Sequence, residues 1–271
     1  MKNPLITILI VNFNSAEFIE NTLYGLKKLT RNPYQVFIVD NDSKSKDYEK
    51  LQRIISEYEN VSLERNSTGL RGSMAHGTAL NYLATQVDTL YFSILDADAT
   101  WLIKDWDTIL ISTFDDKVKV AGTESDGDKP KDFPLMYAIL FETKTFNDLN
   151  IDLRPRDISL HEDTGAELRE KYLAAGFKGI ILGARNTRTY KDGPFRNSIG
   201  VAEHYLKGYE HIFSSHFGRG STLGANKYIH TKRKYLYKIP LLGGYLLRKK
   251  GRKEKSEWIS VCKDIINKQQ S

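Results

Sequence analysis

Short, unbroken apolar runs rich in β-branched residues alternate with longer amphipathic stretches through the first hundred positions, and this rhythm limits the fold more than any other feature. The runs are residues 5–11 (LITILIV), 35–39 (QVFIV), 61–63 (VSL) and 91–95 (YFSIL). Continuous apolar segments of this length suit strands covered on both faces, as in a parallel sheet. Between them, residues 17–29 carry Phe18, Ile19, Leu23, Leu26 and Leu29 at helical spacing, with Ser15 as the expected N-cap. Residues 47–59 repeat the pattern with Leu51, Ile54, Ile55 and Tyr58, and a Gly-rich loop over residues 66–73 leads into a third helix over 73–86. Four strands separated by three helices predict right-handed βαβ crossovers and an α/β fold with a doubly wound, mostly parallel sheet.

Such sheets bind ligands beyond the carboxyl ends of their strands, where strand order reverses. Three of the expected ends carry polar clusters: Asn12 to Asn14, Asp40 to Ser43, and Asp96 to Asp98. Residues two apart in an extended chain project to one side, so Asp96 and Asp98 would present two carboxylates to one cleft, a pairing suited to a hard divalent cation.

The remainder is less regular. Residues 118–122, 135–141 and 179–182 read as strands, with a polar loop over 123–132. Helices are expected over 162–175, opened by Glu162 and Asp163, and over 199–207; a His- and Gly-bearing segment, HIFSSHFGRGS, fills 211–221. One domain is expected through about residue 225, followed by a basic, partly helical extension over 226–271.

Composition narrows the class of function. The single cysteine, Cys262, excludes an internal disulfide framework and a cysteine-rich metal site. No apolar run reaches membrane-spanning length, and the first residues lead into a strand rather than a signal peptide, so a cytoplasmic location is expected. The net charge of +6 is unevenly held. Residues 227–255 contain 11 of the 40 basic residues and a single acid, Glu254, which leaves 29 basic against 33 acidic residues elsewhere, a body of −4. Mixed with Tyr, Leu and Ile, that basic segment reads as a surface for anionic lipid, placing the protein peripherally on the inner face of the cell membrane. It lacks a nucleic-acid-binding module, and no nucleic-acid partner is expected.

Taken together, VNFNS (11–15), VDNDS (39–43), the loop from Gly69 to Gly77 and LDADA (95–99) resemble a family 2 glycosyltransferase of the GT-A fold, of the bacterial polysaccharide or rhamnosyltransferase-like type. Asp-x-Asp alone is a weak signal; its place after a fourth buried strand, behind two matching strand tips, makes it specific. The resemblance divides the domain into a nucleotide-sugar-binding half, residues 1–100, and an acceptor and catalytic half, residues 101–225. It implies that Val11, Phe13, Asp40 and Asn41 hold the nucleobase, with Asn41 standing where many members have a second acid, so that uracil, thymine and guanine all remain open. Asp96 then meets the ribose and Asp98 an Mn²⁺ or Mg²⁺ ion. In inverting members a carboxylate deprotonates the acceptor hydroxyl, a role that falls to Asp163, with Glu162 second. His216 would approach the metal, and Arg219 and Arg71 the phosphates. His76 and His211 read as ordinary histidines. The Gly-rich loop lacks the Gly-Lys-Ser/Thr ending of a nucleotide-hydrolysing P-loop.

The expected activity is a metal-dependent, inverting transfer of a sugar from a nucleoside-diphosphate sugar to a glycan or lipid-linked saccharide of a cell-surface polysaccharide. Two other readings remain: a nucleotidyltransferase, which would carry a basic Gly-rich loop directly after the first strand, and a non-catalytic nucleotide-sugar-binding protein, which would not need Asp163.

Overall fold

The computed structural model describes residues 3–124, 130–157, 159, 162–223, 227, 235, 239 and 242–269. Its first half follows the sequence rhythm: β1 (Ile6–Asn12), α1 (Ala16–Leu29), β2 (Tyr34–Asn41), α2 (Ser45–Ile55), β3 (Val61–Asn66), α3 (Gly72–Ala84) and β4 (Tyr91–Asp96). Then come β5 (Ala99–Trp101), α4 (Trp106–Ile111), β6 (Val118–Thr123), β7 (Leu135–Glu142), α5 (Thr143–Asp148), α6 (Leu168–Ala174), β8 (Lys178–Asn186), β9 (Ala202–Tyr205) and β10 (Ser214–His216).

The strands form one sheet in the order β3-β2-β1-β4-β7-β6-β8-β9-β10-β5. The four strands β3, β2, β1 and β4 are parallel. The chain builds outward from β1 to β3 and returns to the other side of β1 with β4, so the reversal falls between β1 and β4. There the register pairs Val11 with Val39 on one side and Asp96 on the other. The second half joins through antiparallel contacts of β7 with β4 and β6, while β6 and β8 run parallel.

Two expected helices differ. Residues expected as a helix over 199–207 instead form β9, because Gly200 adopts φ 66° and the following residues pair with β8 on one side and β10 on the other. The helix expected from Glu162 begins at Leu168; Gly165, at φ 76°, keeps Glu162 and Asp163 in a loop. The expected polar loop over 123–132 lies partly outside the described residues, as do His161 and the basic Lys232, Arg233, Lys234 and Lys238.

The C-terminal helix, Leu242–Lys268, joins the main core. Trp258, Cys262 and Ile266 are fully buried in the cluster that also holds Ile8, Ile10 and Phe18. The Trp258 ring lies 5.6 Å from Phe18 and 6.1 Å from Phe217, and its indole N–H donates to Ser215 Oγ at 2.9 Å. On the surface, Lys255 and Lys50 both pair with Glu17, so part of the basic segment is used internally.

Trp258→Ala should therefore lower stability by about 3–5 kcal/mol, read as a drop in midpoint by denaturant unfolding. Partial burial disfavours the charged form of Glu17, yet the Lys255 and Lys50 ammonium groups hold its carboxyl down at about 2, below the ordinary 4.5. Its stabilising effect is complete above about pH 4.5 and fades as pH falls toward 2. Glu17→Gln should melt earlier than the parent at pH 7, and the gap should close across that acidic window.

Candidate active site

The site begins with the way β1 and β2 end. Asn12 is buried, and its amide N–H₂ donates to Asp40 Oδ1 at 2.7 Å, Ser43 Oγ at 3.1 Å and Asp47 Oδ2 at 3.2 Å. Its Oδ1 accepts the Ser15 N–H at 3.1 Å, and Asp40 Oδ2 accepts the Ser43 N–H at 3.2 Å. Buried polar groups must find partners, and here they find one another. The expected Ser15 cap is replaced: Asp47 accepts the Ala16 N–H at 3.3 Å, while the Ser15 hydroxyl donates to the Phe13 carbonyl. Asp40 is fully buried, with Arg65 at 3.6 Å, and does not line the cleft; Asn41 does.

Beyond these tips lies a cleft of two adjoining lobes, 1180 and 920 Å³. Val11, Phe13, Asp96, Asp163 and Arg219 line both; Asp98 and His216 line the larger, Asn41 and Arg71 the smaller. Phe13, which lines both lobes, is 44% exposed.

Asp96, Asp98 and His216 converge, with ligand atoms all within 4.8 Å of one another. His216 Nε2 lies 3.3 Å from Asp98 Oδ1 and 3.6 Å from Asp96 Oδ2. Strand pairing makes this possible: β10 lies antiparallel to β5, with His216 opposite Ala99, the residue after Asp98. The Gly220 N–H donates to Asp98 Oδ2 at 2.7 Å, and the Tyr137 ring stacks on His216 with centroids 4.4 Å apart.

The electrostatics of the cluster are unequal. Burial pushes Asp96 up to about 7; His216 counters this, and Asp98 and Asp163 add to it. Burial acts on Asp98 in the same sense, but His216, Lys227 and the Gly220 N–H outweigh it and hold the carboxyl below its usual range. Burial alone would lower His216, yet Asp98 and Asp96 raise it. Two crowded carboxylates and an imidazole suit a divalent cation, and the oxygen-rich donor set fits Mn²⁺ or Mg²⁺.

Asp163 faces the same cleft from the loop before α6. Its Oδ1 accepts the Ser73 hydroxyl at 2.6 Å and the Thr164 N–H at 2.9 Å, while the Thr164 hydroxyl donates back to the Ser73 carbonyl at 3.2 Å. Glu162 turns elsewhere, accepting the backbone N–H groups of Arg156 and Asp157 at 2.8 and 2.9 Å, and it lines neither lobe.

Among the cleft residues not expected from the sequence, three stand next to the acidic cluster or its supports. His76, which reads there as an ordinary histidine, has Nε2 3.6 Å from Asp96 Oδ1; its position one turn into the helix after the Gly-rich loop is the signal that points to it. Tyr137 has none, because only the β4–β7 register, Leu95 opposite Ala138, brings it beside Asp96. Lys227, one of the residues of the basic surface, is buried, donates to the Phe217 carbonyl and sits 4.0 Å above that ring.

A family model described as Glycosyl transferase family 2 matches residues 7–177. No curated protein matches the chain. Among solved structures, a mannosyltransferase from Pyrobaculum calidifontis in complex with GDP-Man and Mn²⁺ is similar at 18% identity and TM-score 0.53; the match covers 72% of this chain and 61% of that one. GalNAc-T7 with UDP, GalNAc and Mn²⁺ is similar at 16% identity and TM-score 0.51, over 67% of this chain and 43% of that one. These likenesses concern the fold, and the chain spans less than two thirds of either protein.

A Cβ at Gly220 would lie 2.8 Å from Asp98 Cβ and 3.0 Å from Phe18 Cε2. Gly220→Ala should displace Asp98 or its loop and lower stability by about 1–3 kcal/mol, measurable by thermal unfolding.

Proposed function

Because this chain belongs to glycosyl transferase family 2, we propose that it transfers a sugar, with inversion, from a nucleoside-diphosphate sugar to an acceptor hydroxyl. The observation that carries the reading is the meeting of Asp96, Asp98 and His216 in the cleft that Asp163 also lines. The nucleoside occupies the smaller lobe, where Val11, Phe13 and Asn41 meet the base and Arg71 the phosphates. Asp98 and His216, with Asp96 beside the ribose, hold Mn²⁺ or Mg²⁺. That ion, when bound, neutralises charge on the departing diphosphate. Arg219, facing both lobes, adds a guanidinium suited to phosphate oxygens.

Asp163 accepts the proton of the acceptor hydroxyl as it attacks the anomeric carbon from the side opposite the diphosphate. Ser73 and Thr164 orient the carboxylate for this task. Glu162 is engaged by Arg156 and Asp157 and is the weaker candidate. The GDP-Man and Mn²⁺ of the one solved protein and the UDP, GalNAc and Mn²⁺ of the other support a nucleotide-sugar donor and a divalent cation in this reading.

The acceptor is a glycan or lipid-linked saccharide of a cell-surface polysaccharide. No helix among the described residues is long and apolar enough to cross a membrane. The C-terminal helix exposes Leu242, Tyr245, Arg248, Lys249, Arg252 and Lys253, which supports peripheral attachment to the anionic inner face of the cell membrane. A nucleotidyltransferase is disfavoured, since the turn after β1 carries no basic loop and is tied up by Asn12.

A thermal-shift screen of UDP-, dTDP- and GDP-sugars with and without Mn²⁺ tests donor and metal together; stabilisation by one nucleotide class that depends on the ion is expected. Asp98→Ala should lose that stabilisation and all transfer while remaining folded. Asp163→Asn should bind donor normally but turn over about 10²–10⁴-fold more slowly. Full transfer by that variant would refute the base, and donor binding without turnover by the parent would favour a non-catalytic binding protein.

A further inference from the structure

Each carboxylate of the acidic cluster is held by a neighbour from another element. The Gly220 N–H donates to Asp98 Oδ2 at 2.7 Å, and His76 Nε2 lies 3.6 Å from Asp96 Oδ1 while Asp96 Oδ2 faces His216. His216 is braced differently, by an aromatic face. The Tyr137 ring lies on its imidazole with centroids 4.4 Å apart and planes inclined by 24°. The two side chains arrive from separate parts of the sheet. Tyr137 stands on β7, one step beyond the pairing of Leu95 with Ala138 and on the side of Asp96. His216 stands on β10, which pairs with β5 and β9 and not with β7. The stack is thus a side-chain bridge between the strand beside Asp96 and the strand that carries the imidazole, and both residues line the larger lobe.

The three residues of β10 fix where the His216 backbone lies, and alternation along the strand sends Ser215 back to Trp258 and His216 into the cleft. Strand pairing does not fix the ring. The torsion that turns an imidazole about its Cβ–Cγ bond is broad and has two wells, and turning it would carry Nε2 away from Asp98 and Asp96, which lie 3.3 and 3.6 Å from it. A nearly parallel aromatic ring on one face opposes that rotation, because an imidazole turned out of its plane would run into it, and stacking adds attraction to the exclusion. A ligand oriented in advance by its neighbours gives up less freedom when a cation arrives. We propose that Tyr137 is a positioning residue for the divalent-cation site and acts through His216. Its ring face, rather than its hydroxyl, keeps Nε2 turned toward the two acids. This rests on the reading of Asp96, Asp98 and His216 as the site of Mn²⁺ or Mg²⁺.

The test is a Mn²⁺ titration of the full chain, followed by the electron paramagnetic resonance of the free ion, with thermal unfolding in the absence of metal as the check on folding. Tyr137→Leu should bind Mn²⁺ about tenfold more weakly, the loss expected when a partner that orients a metal ligand is removed. Tyr137→Phe, which keeps the ring, should match the parent. In a His216→Ala background, Tyr137→Leu should cost nothing further, because its effect runs through the imidazole. Equal affinity in the parent and Tyr137→Leu, an equal loss in Tyr137→Phe, or additive losses in the double variant would overturn the proposal. Should Tyr137→Leu fail to fold, Tyr137→Met, unbranched and able to fill an irregular gap, takes its place with the same expected loss. A parent that takes up no Mn²⁺ would refute the metal reading, and this inference with it; Mn²⁺ uptake that ignores Tyr137 would refute the inference alone.

Discussion

The antiparallel pairing of β10 with β5 is the contact on which the rest of the site depends. It joins residues more than a hundred positions apart in sequence, sets His216 opposite Ala99, and carries the following turn over Asp98, whose carboxylate accepts the Gly220 N–H. Without it, Asp96 and Asp98 would be two acids at an open sheet edge. The pairing is reinforced from outside, because the Trp258 indole donates to Ser215 in the middle of β10 while its rings pack against Phe18 and Phe217. The C-terminal helix thus supports the site mechanically although it lies behind the cleft.

The cleft also gathers charge that a folded protein would ordinarily disperse. Asp96, Asp98 and Asp163 share one cavity, and their mutual repulsion, added to burial, is what drives Asp96 toward neutral pH. His216 and Lys227 offset part of this at Asp98. Crowded acids of this sort cost stability in isolation and are retained where a cation or a substrate relieves them. Lys227, a residue of the basic segment, lines the same cleft as these acids.

Much of the first half of the chain is legible in the amino-acid sequence. The apolar runs at residues 5–11, 35–39 and 91–95 suit only buried strands, and their spacing by amphipathic helices leaves a parallel sheet with its polar tips at one edge. The α/β class, the Asp96 and Asp98 pair and the family membership follow from that pattern and its motifs. His216 is reached through a resemblance, not through periodicity. The second half is less readable because several of its strands are short: β5, β9 and β10 have three or four residues each, too few for a pattern, and they exist because they pair with distant partners.

The sequence by itself determined the order of elements, the residue types at the strand ends and the separation of a basic segment from a slightly acidic body, since these depend on local periodicity and composition. Only the tertiary structure decided which polar residues face the cleft. Asp40 and Asn41 are neighbours on β2, yet alternation along the strand and the Asn12 network bury the first and leave the second at the smaller lobe. Asp163 and Glu162 are likewise adjacent, and loop geometry sends one to Ser73 at the cleft and the other to Arg156. His76, Tyr137 and Lys227 joined the site through register and packing between distant segments, which no local pattern encodes.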